Sequence, residues 1–203
     1  MKSKINEHAD GGKFGNLKKI LLMWAKLNEQ FFIQTGDGSW WYNERASISV
    51  LAAVAWMAGG VALEEFSAKK KLGKKERSGR ADVYLNLKGR EFACEAKFMW
   101  LSVNSRNPID RIDAELKNAC EDAESLDREE GRRFGVCFAT VYVTEENVDK
   151  FSDLIEKLQK RIDSELEFDA IAWSFPAKAI KALIGDKDGR YHPGSFLILR
   201  NCD

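Results

Sequence analysis

Residues 80–97 read RADVYLNLKGREFACEAK. In the first half of this stretch, apolar side chains occupy every second position, which is typical of a strand with one buried face. Lys88 and Gly89 supply a two-residue turn, with glycine where a positive φ is needed. Residues 90–97 then read as the return strand. The sequence therefore predicts a β-hairpin over residues 82–97.

The register of this hairpin would bring three charged side chains to one face. If Leu87 pairs with Arg90 across the turn, Asp82 lies directly opposite Glu95. Opposed Cβ atoms are about 4.5–5.5 Å apart, so both carboxylates could hold one cation. Lys97 follows Glu95 by two residues and therefore faces the same side. Such a cluster suits metal-assisted phosphodiester cleavage, whereas the alternative is a hairpin with an ordinary cross-strand ion pair.

The spacing of these residues resembles a known signature. Asp82, twelve further residues and then Glu95-Ala96-Lys97 look like the motif of the PD-(D/E)xK phosphodiesterases, whose fold is called restriction-endonuclease-like. Ala81 stands where that motif usually has proline. The resemblance covers the element order of residues 43–143. It implies a metal-dependent nuclease, although some members of the superfamily have lost activity.

The resemblance also implies a role for each residue of the site. Asp82, Glu95, Glu44 and the main-chain carbonyl of Ala96 would hold the metal. Lys97 would stabilise the charge that develops on the phosphate or help to deprotonate the attacking water. The catalytic residues would thus be Asp82, Glu95, Lys97 and Glu44. Oxygen ligands without a nearby His or Cys favour Mg²⁺, with Mn²⁺ as a substitute.

Glu44 has an alternative explanation, because an acid in the first turn of a helix is favoured by the helix dipole without any function. Glu64 and Glu65 are secondary candidates, and only one of them can face the site, since neighbouring strand residues point to opposite sides. The aromatic residues 40–42 could stack a nucleobase beside the site or pack at the rim of the core.

A basic segment leads into the hairpin. Residues 69–80 contain seven bases and one acid. We expect a loop here that contacts nucleic-acid phosphates, since a basic stretch beside a carboxylate site matches a phosphate backbone. The alternative is a solvated loop that binds nothing. The candidate contacts are Lys69, Lys70, Lys71, Lys74, Lys75, Arg77 and Arg80.

The order of the predicted elements indicates an α/β fold. Helical spacing or strand alternation is seen in residues 16–31, 43–58, 61–68, 107–126, 134–143, 151–162, 168–175, 177–184 and 195–200. We expect a three-layer, restriction-endonuclease-like fold with a central mixed β-sheet flanked by helices on both faces. Residues 1–203 would form a single domain, with a loose tail (1–15), an N-terminal helix and loop (16–42), a nuclease-like core (43–143), and a C-terminal helix and strands (144–203).

The composition bears on the cellular location and the partners of the protein. The 32 bases balance the 32 acids, so any attraction to nucleic acid must be local. The longest apolar run is too short to span a bilayer, and the N-terminus lacks the apolar region of a signal peptide. The four cysteines show no CxxC spacing, and we expect Cys94, Cys120 and Cys137 to be reduced core thiols. We therefore expect a cytoplasmic protein with no membrane partner.

The leading hypothesis is a Mg²⁺-dependent nuclease acting on nucleic acid, with DNA favoured over RNA as the substrate. A role in restriction or defence is compatible with this hypothesis but is inferred by analogy only. One alternative is an inactive member of the same fold that binds nucleic acid or serves as a scaffold. Another is a purely structural set of ion pairs. The sequence leaves a homodimer open.

Overall fold

A computed structural model describes residues 2–5, 15–72, 75–127, 129, 131–182 and 189–203. This part of the chain forms one mixed sheet with helices on both faces. The strands are β1 (Lys2–Ile5), β2 (Val61–Leu72), β3 (Lys75–Asn86), β4 (Glu91–Ser102), β5 (Arg132–Thr144), β6 (Ala170–Ser174) and β7 (Arg190–Asn201). The helices are α1 (Gly15–Thr35), α2 (Glu44–Met57), α3 (Pro108–Glu124), α4 (Phe151–Glu165) and α5 (Ala179–Ala182), with 3₁₀ segments at Ser39–Trp41 and Glu145–Lys150.

The described strands form a seven-stranded sheet in the order β1-β6-β7-β5-β4-β3-β2. β4 and β5 run parallel and are joined through α3, whereas the other neighbours are antiparallel. β5 is buried along almost its whole length, as expected of a central strand covered on both faces. The predicted α/β class, with a mixed sheet between helices, is confirmed.

The two faces of the sheet carry separate cores. On one face, Leu21 of α1 and Leu51 of α2 belong to the same buried cluster as Phe138 of β5. On the other face, Ile112 of α3 and Leu158 of α4 are buried in a second cluster. The inward-facing residues of the predicted hairpin all join the first cluster, as their alternation indicated: Val83, Leu85, Leu87, Phe92, Cys94 and Ala96.

The turn between β3 and β4 has the predicted form. Lys88 and Gly89 both have positive φ, at 57° and 81°, as a two-residue hairpin turn of the primed type requires. The Leu87 N–H donates to the Arg90 carbonyl at 2.8 Å. The ladder then continues to the pair Val83 and Cys94. The register that the sequence predicted is therefore confirmed.

The helix before the hairpin is also placed as predicted. The Asn43 side chain accepts a hydrogen bond from the Ala46 N–H at 3.0 Å, which caps the start of α2. Gly59, with φ of 84°, follows the end of the helix in a conformation that favours glycine. These two signals fix Glu44 in the first turn of α2.

Two predictions about irregular segments were wrong. Residues 2–5 are not a loose tail, because they pair with β6 at the edge of the sheet, with Lys2 opposite Trp173. The rest of that segment before residue 15 lies outside the described residues. The basic segment is not a loop, because β2 and β3 continue through it as one long hairpin in which Lys70 pairs with Arg77. Consecutive strand residues point to opposite faces, so a run of bases is compatible with a strand.

The prediction for the cysteines was partly wrong. Cys94 and Cys137 are free and buried, as expected. Cys120 is not a free thiol, because it forms a disulfide with Cys202 across a sequence separation of 82 residues. Their Cα atoms are 5.4 Å apart, and only the tertiary fold brings these positions together. Among the described residues, no helix is long and apolar enough to cross a membrane.

Candidate functional site

The candidate site lies where β3 and β4 separate. β3 pairs with β4 only over residues 83–86, whereas it pairs with β2 over almost its full length. One further step in the β3–β4 register sets Asp82 opposite Glu95. There the ladder ends, and the Ala96 N–H instead donates to Asp82 Oδ2 at 2.7 Å. The carboxylate of Asp82 thus takes the place of the β3 backbone carbonyl that would otherwise accept the hydrogen bond from the Ala96 N–H.

Glu44 continues the same pattern. The Phe98 N–H, two residues beyond Ala96 on the same edge of β4, acts to lower the pKa of its carboxyl. Burial and the negative charge of Asp82 raise the pKa of Glu44, while Lys97 and the Phe98 N–H act in the opposite direction. Glu44 is therefore more than a residue at a helix start, because it lies within electrostatic reach of Asp82 and Lys97.

Glu95 is the most buried acid of the group, with 4% of its surface exposed. Burial raises the pKa of its carboxyl to about 7. The nearby charge of Asp82 raises this pKa further, whereas the ammonium of Lys70, 2.7 Å from Glu95 Oε1, lowers it. A carboxylate in this environment lacks full compensation of its negative charge, and a bound cation would supply it.

Lys97 is turned toward helix α3. Its Nζ lies 2.5 Å from Asp122 Oδ2. Burial tends to lower the pKa of Lys97, but the hydrogen bond and charge of Asp122, together with Glu44 and Asp82, raise it overall. Lys97 is therefore held as an ammonium ion among the carboxylates. Of the four predicted catalytic residues, Asp82 lies within electrostatic reach of the other three, Glu44, Glu95 and Lys97.

A bend in β2 lies directly across from Asp82. The β2–β3 pairing runs from Glu64 and Val83 to Phe66 and Ala81 and skips the residues between. The skipped residue of β2, Glu65, has a φ of 51°, which is rare for a residue other than glycine. Past this bend, we call residues 66–80 of the β2–β3 hairpin the basic arm, apart from residues 73 and 74, which lie outside the described part.

Both acids at the bend have partners. Glu65 lies 3.3 Å from Arg45 and 3.6 Å from Arg80, measured between side-chain nitrogen and oxygen atoms. Its charge contributes to the raised pKa of Glu44. The Ser49 hydroxyl donates to Glu64 Oε2 at 2.9 Å, so Glu64 is bound to the outer side of α2.

The structure separates the predicted nucleic-acid contacts into different groups. Lys70 is partly buried and lies 2.7 Å from Glu95 Oε1, inside the site rather than on a phosphate-facing surface. Lys71 forms an ion pair with Asp127 at 3.0 Å. Lys69, Arg77 and Arg80 have exposed side chains. Lys75 begins β3, and Lys74 lies outside the described residues.

The aromatic residues before Glu44 mostly pack internally. Trp40 is buried, and its indole N–H donates to the His192 carbonyl at 2.9 Å. Trp41 is half-buried and meets the ring of Trp100 edge to face at 5.6 Å between centroids. Tyr42 is exposed and donates to Asp37. Rim and core packing therefore accounts for Trp40 and Trp41.

The donors suit a hard divalent cation in kind. They are carboxylate oxygens from three elements, and the Ala96 carbonyl lies on the same edge of its strand as the N–H bound by Asp82. The ammonium of Lys70 beside Glu95 shows that a positive charge is accommodated there. Within the described part of the chain, however, no three His, Cys, Asp or Glu side chains are gathered tightly enough to hold a metal as they stand.

Sequence reasoning missed Asp122, named Glu65 as a secondary candidate without its bent conformation, and named Lys70 only as a nucleic-acid contact. The first two carried no local signal, since the partner of Lys97 is 25 residues away and a positive φ at glutamate has no sequence mark. Lys70 had a weak signal, because a strand continued past residue 68 would place it on the same face as the apolar residues 66 and 68.

Comparison with known proteins adds no relative. No protein-family model, curated protein or solved structure matches the chain. The function must therefore be inferred from the geometry and electrostatics of the site.

Proposed function

We propose that this protein is a Mg²⁺-dependent phosphodiesterase of the PD-(D/E)xK type with a restriction-endonuclease-like fold. Its substrate would be nucleic acid, with DNA favoured over RNA. The single observation that supports this most is the convergence of Asp82, Glu95, Glu44 and Lys97 where β3 leaves β4. Two acids from a hairpin, one from the preceding helix and one lysine are the groups that such a reaction requires.

The acids would provide the metal ligands. Asp82, Glu95 and Glu44, with the Ala96 carbonyl, are the donors, and burial of Glu95 makes a cation favourable there. When bound, Mg²⁺ supplies an activated water and neutralises charge on the phosphate. In this proposal the chain's own residues hold the metal, exclude part of the solvent and orient the phosphate.

Lys97 would act on the substrate. Asp122 and the surrounding carboxylates keep it protonated. An ammonium that is already charged and held in place can stabilise the negative charge that develops on the phosphate in the transition state. Asp122 is then a positioning residue that acts through Lys97.

A second function is nucleic-acid binding without cleavage. Two observations favour it: each site lysine already has an acidic partner, Lys70 with Glu95 and Lys97 with Asp122, and the described acids are not gathered into a ready-made metal site. Binding without catalysis would use the exposed bases of the basic arm and would need no metal.

The test compares plasmid and oligonucleotide cleavage by the wild type, Asp82→Asn and Lys97→Met with Mg²⁺ or Mn²⁺. We expect both variants to lose activity by about 10²-fold or more, while circular dichroism shows an intact fold. Asp127→Asn is the matched control, because Asp127 pairs with Lys71 outside the cluster.

Equal cleavage by the wild type and both site variants would refute the proposal. Metal-independent DNA binding with no cleavage by any of the proteins would favour the second function. Calorimetric titration with Mn²⁺ separates the two further, since binding that is lost in Asp82→Asn is expected only of the first.

A further inference from the structure

Lys70 lies at the centre of the candidate site. Its Nζ is 2.7 Å from Glu95 Oε1, and only 17% of its side chain is exposed. Glu95 itself is 4% exposed, so this ion pair is largely shielded from water. The contact joins β2 to β4, two strands that are not neighbours in the sheet.

Backbone hydrogen bonds on either side of Lys70 support this contact. After the bend at Glu65, the basic arm runs against the end of α3. The Lys71 N–H donates to the Ser125 carbonyl at 2.6 Å, and the Asp127 N–H donates to the Lys69 carbonyl at 3.0 Å. These two bonds bracket Lys70, so its position does not depend on its own side chain alone.

Gly79 leaves room for the Lys70 side chain. It lies diagonally across from Lys70 in the β2–β3 ladder. A Cβ atom at Gly79 would come within 2.9 Å of Lys70 Cδ and 3.1 Å of Cγ. Glycine at this position therefore accommodates the aliphatic stem that carries the ammonium to Glu95.

We infer that Lys70 is an internal counter-ion that competes with the divalent metal for Glu95, so that metal binding requires its ammonium to leave the carboxylate. This inference rests on the proposed function. An ammonium and a divalent cation on one carboxylate would repel each other strongly, because the site is largely shielded from water. Mg²⁺ also requires oxygen ligands at about 2.0–2.1 Å, and the ammonium of Lys70 occupies one of the Glu95 oxygens.

The two lysines of the site therefore have different roles. Lys97 is held by Asp122, which is not among the proposed metal ligands, and it can stay in place when a metal binds. Lys70 is held by a proposed metal ligand and must move. The ion pair partly offsets the charge of Glu95 without metal and lowers the affinity of the site for a divalent cation.

The test is calorimetric titration of the full chain with Mn²⁺ at one pH and low salt. Lys70→Met removes the ammonium and keeps the length of the side chain. Gly79→Ala pushes the Lys70 stem aside while leaving the lysine. We expect both variants to bind Mn²⁺ about tenfold more tightly than the wild type, the equivalent of about 1.4 kcal/mol. Lys71→Met removes a charge from the next position and should leave the affinity unchanged.

A folded Lys70→Met variant that binds Mn²⁺ with unchanged or weaker affinity would overturn the inference, provided that the wild type binds Mn²⁺ and Glu95→Gln does not. In that case the proposed function would stand without it. If neither the wild type nor Lys70→Met binds Mn²⁺, both fail. Binding by Lys70→Met alone would support both.

A measurement on the wild type avoids any question of folding. An amine-reactive reagent followed by mass spectrometry reports how accessible each lysine is. Mg²⁺ should increase labelling of Lys70 several-fold and leave Lys71 unchanged. Unchanged labelling of Lys70 at a Mg²⁺ concentration that saturates the site would contradict the exchange of ammonium for metal.

Discussion

Lys97 Nζ lies 2.5 Å from Asp122 Oδ2, so the lysine of the hairpin is held by an acid on the helix that follows it. This contact connects β4 to α3 within electrostatic reach of the carboxylates of Asp82 and Glu44. It keeps Lys97 charged in a partly buried position, where burial alone would favour the neutral amine. The ion pair is thus a property of the site that can be tested apart from any enzymatic activity.

Asp122→Asn should lower the pKa of Lys97. The substitution removes a hydrogen-bonded negative charge and leaves burial, which disfavours the ammonium, less opposed. The measurement is an NMR titration of ¹³C-labelled lysine side chains. Asp113→Asn is the control, because Asp113 lies on the same helix as Asp122 but pairs with Lys117 and with Arg200 of β7. A Lys97 titration that is unchanged by Asp122→Asn would contradict the contact.

If the protein is a nuclease, the same variant should change its pH profile. The alkaline limb of the cleavage rate would move to lower pH, because Lys97 would lose its proton earlier. Activity at lower pH, where the lysine stays charged, would be less affected. A uniform loss of rate at every pH would instead indicate that Asp122 acts through the fold.

Glu95 should make the protein less stable as the pH rises. Burial raises its pKa from 4.5 to about 7 in the folded state. Between these values the unfolded chain has released the proton while the folded protein still holds it, so the contribution of Glu95 to stability is lost as the pH rises toward 7. The loss is on the order of 3 kcal/mol.

Urea denaturation of the wild type and Glu95→Gln at pH 4, 5.5 and 8 measures this effect. We expect the wild type to lose stability relative to the variant between the lowest and highest pH. Glu165→Gln is the control, since the hydrogen bond from Arg161 lowers the pKa of Glu165 and gives its contribution the opposite pH dependence. A constant difference between the wild type and Glu95→Gln would contradict the raised pKa.

The hairpin shows how much of the site the sequence could predict. Strand alternation and the Lys88-Gly89 turn determine the register locally, so the ladder up to Val83 and Cys94 follows from the sequence alone, and one further step places Asp82 opposite Glu95. The helix that positions Glu44 has a cap and an end signal in the sequence. These features follow from neighbours within a few residues, and they were correctly predicted.

The basic arm shows why the rest could not be predicted. Its composition is typical of a loop, but the strand pairing with β3 and the two backbone bonds to residues 125–127 hold it extended. Lys70, which reaches Glu95, lies beyond a bend at Glu65 that has no mark in the sequence. The pairs Lys70–Glu95 and Cys120–Cys202 depend on contacts between distant segments, which alternation and spacing do not encode.

The bend at Glu65 can be tested by comparing two substitutions. Glu65→Gly should be more stable than Glu65→Ala by about 1–2 kcal/mol, because a left-handed conformation strains any residue with a Cβ atom. Both variants lose the contacts to Arg45 and Arg80 equally, so the difference isolates the backbone. The measurement is the free energy of unfolding from urea denaturation.

Ser67, two residues further along β2, provides the matched control. It pairs with Arg80 in the regular ladder. There alanine should be more stable than glycine by roughly 0.5–1 kcal/mol, as is usual inside a strand. The same order of stability at both positions would mean that the chain does not bend at Glu65.

The exposed bases of the basic arm should contribute unequally to nucleic-acid binding. Arg77 and Arg80 have exposed side chains, and the contact of Arg80 with Glu65 at 3.6 Å is too exposed to hold it firmly. Replacing either arginine with alanine should weaken binding to DNA of any sequence and lower the slope of log affinity against log salt by about one.

Fluorescence anisotropy in the Asp82→Asn background, at several salt concentrations, measures this without cleavage. Lys71→Ala should have a smaller effect, because Asp127 already neutralises that lysine. Arg161→Ala, on α4, is the control for a loss of charge elsewhere. If Arg161→Ala lowers the salt slope as much as Arg77→Ala does, DNA does not bind along the basic arm, and the nucleic acid must approach the carboxylates from another side.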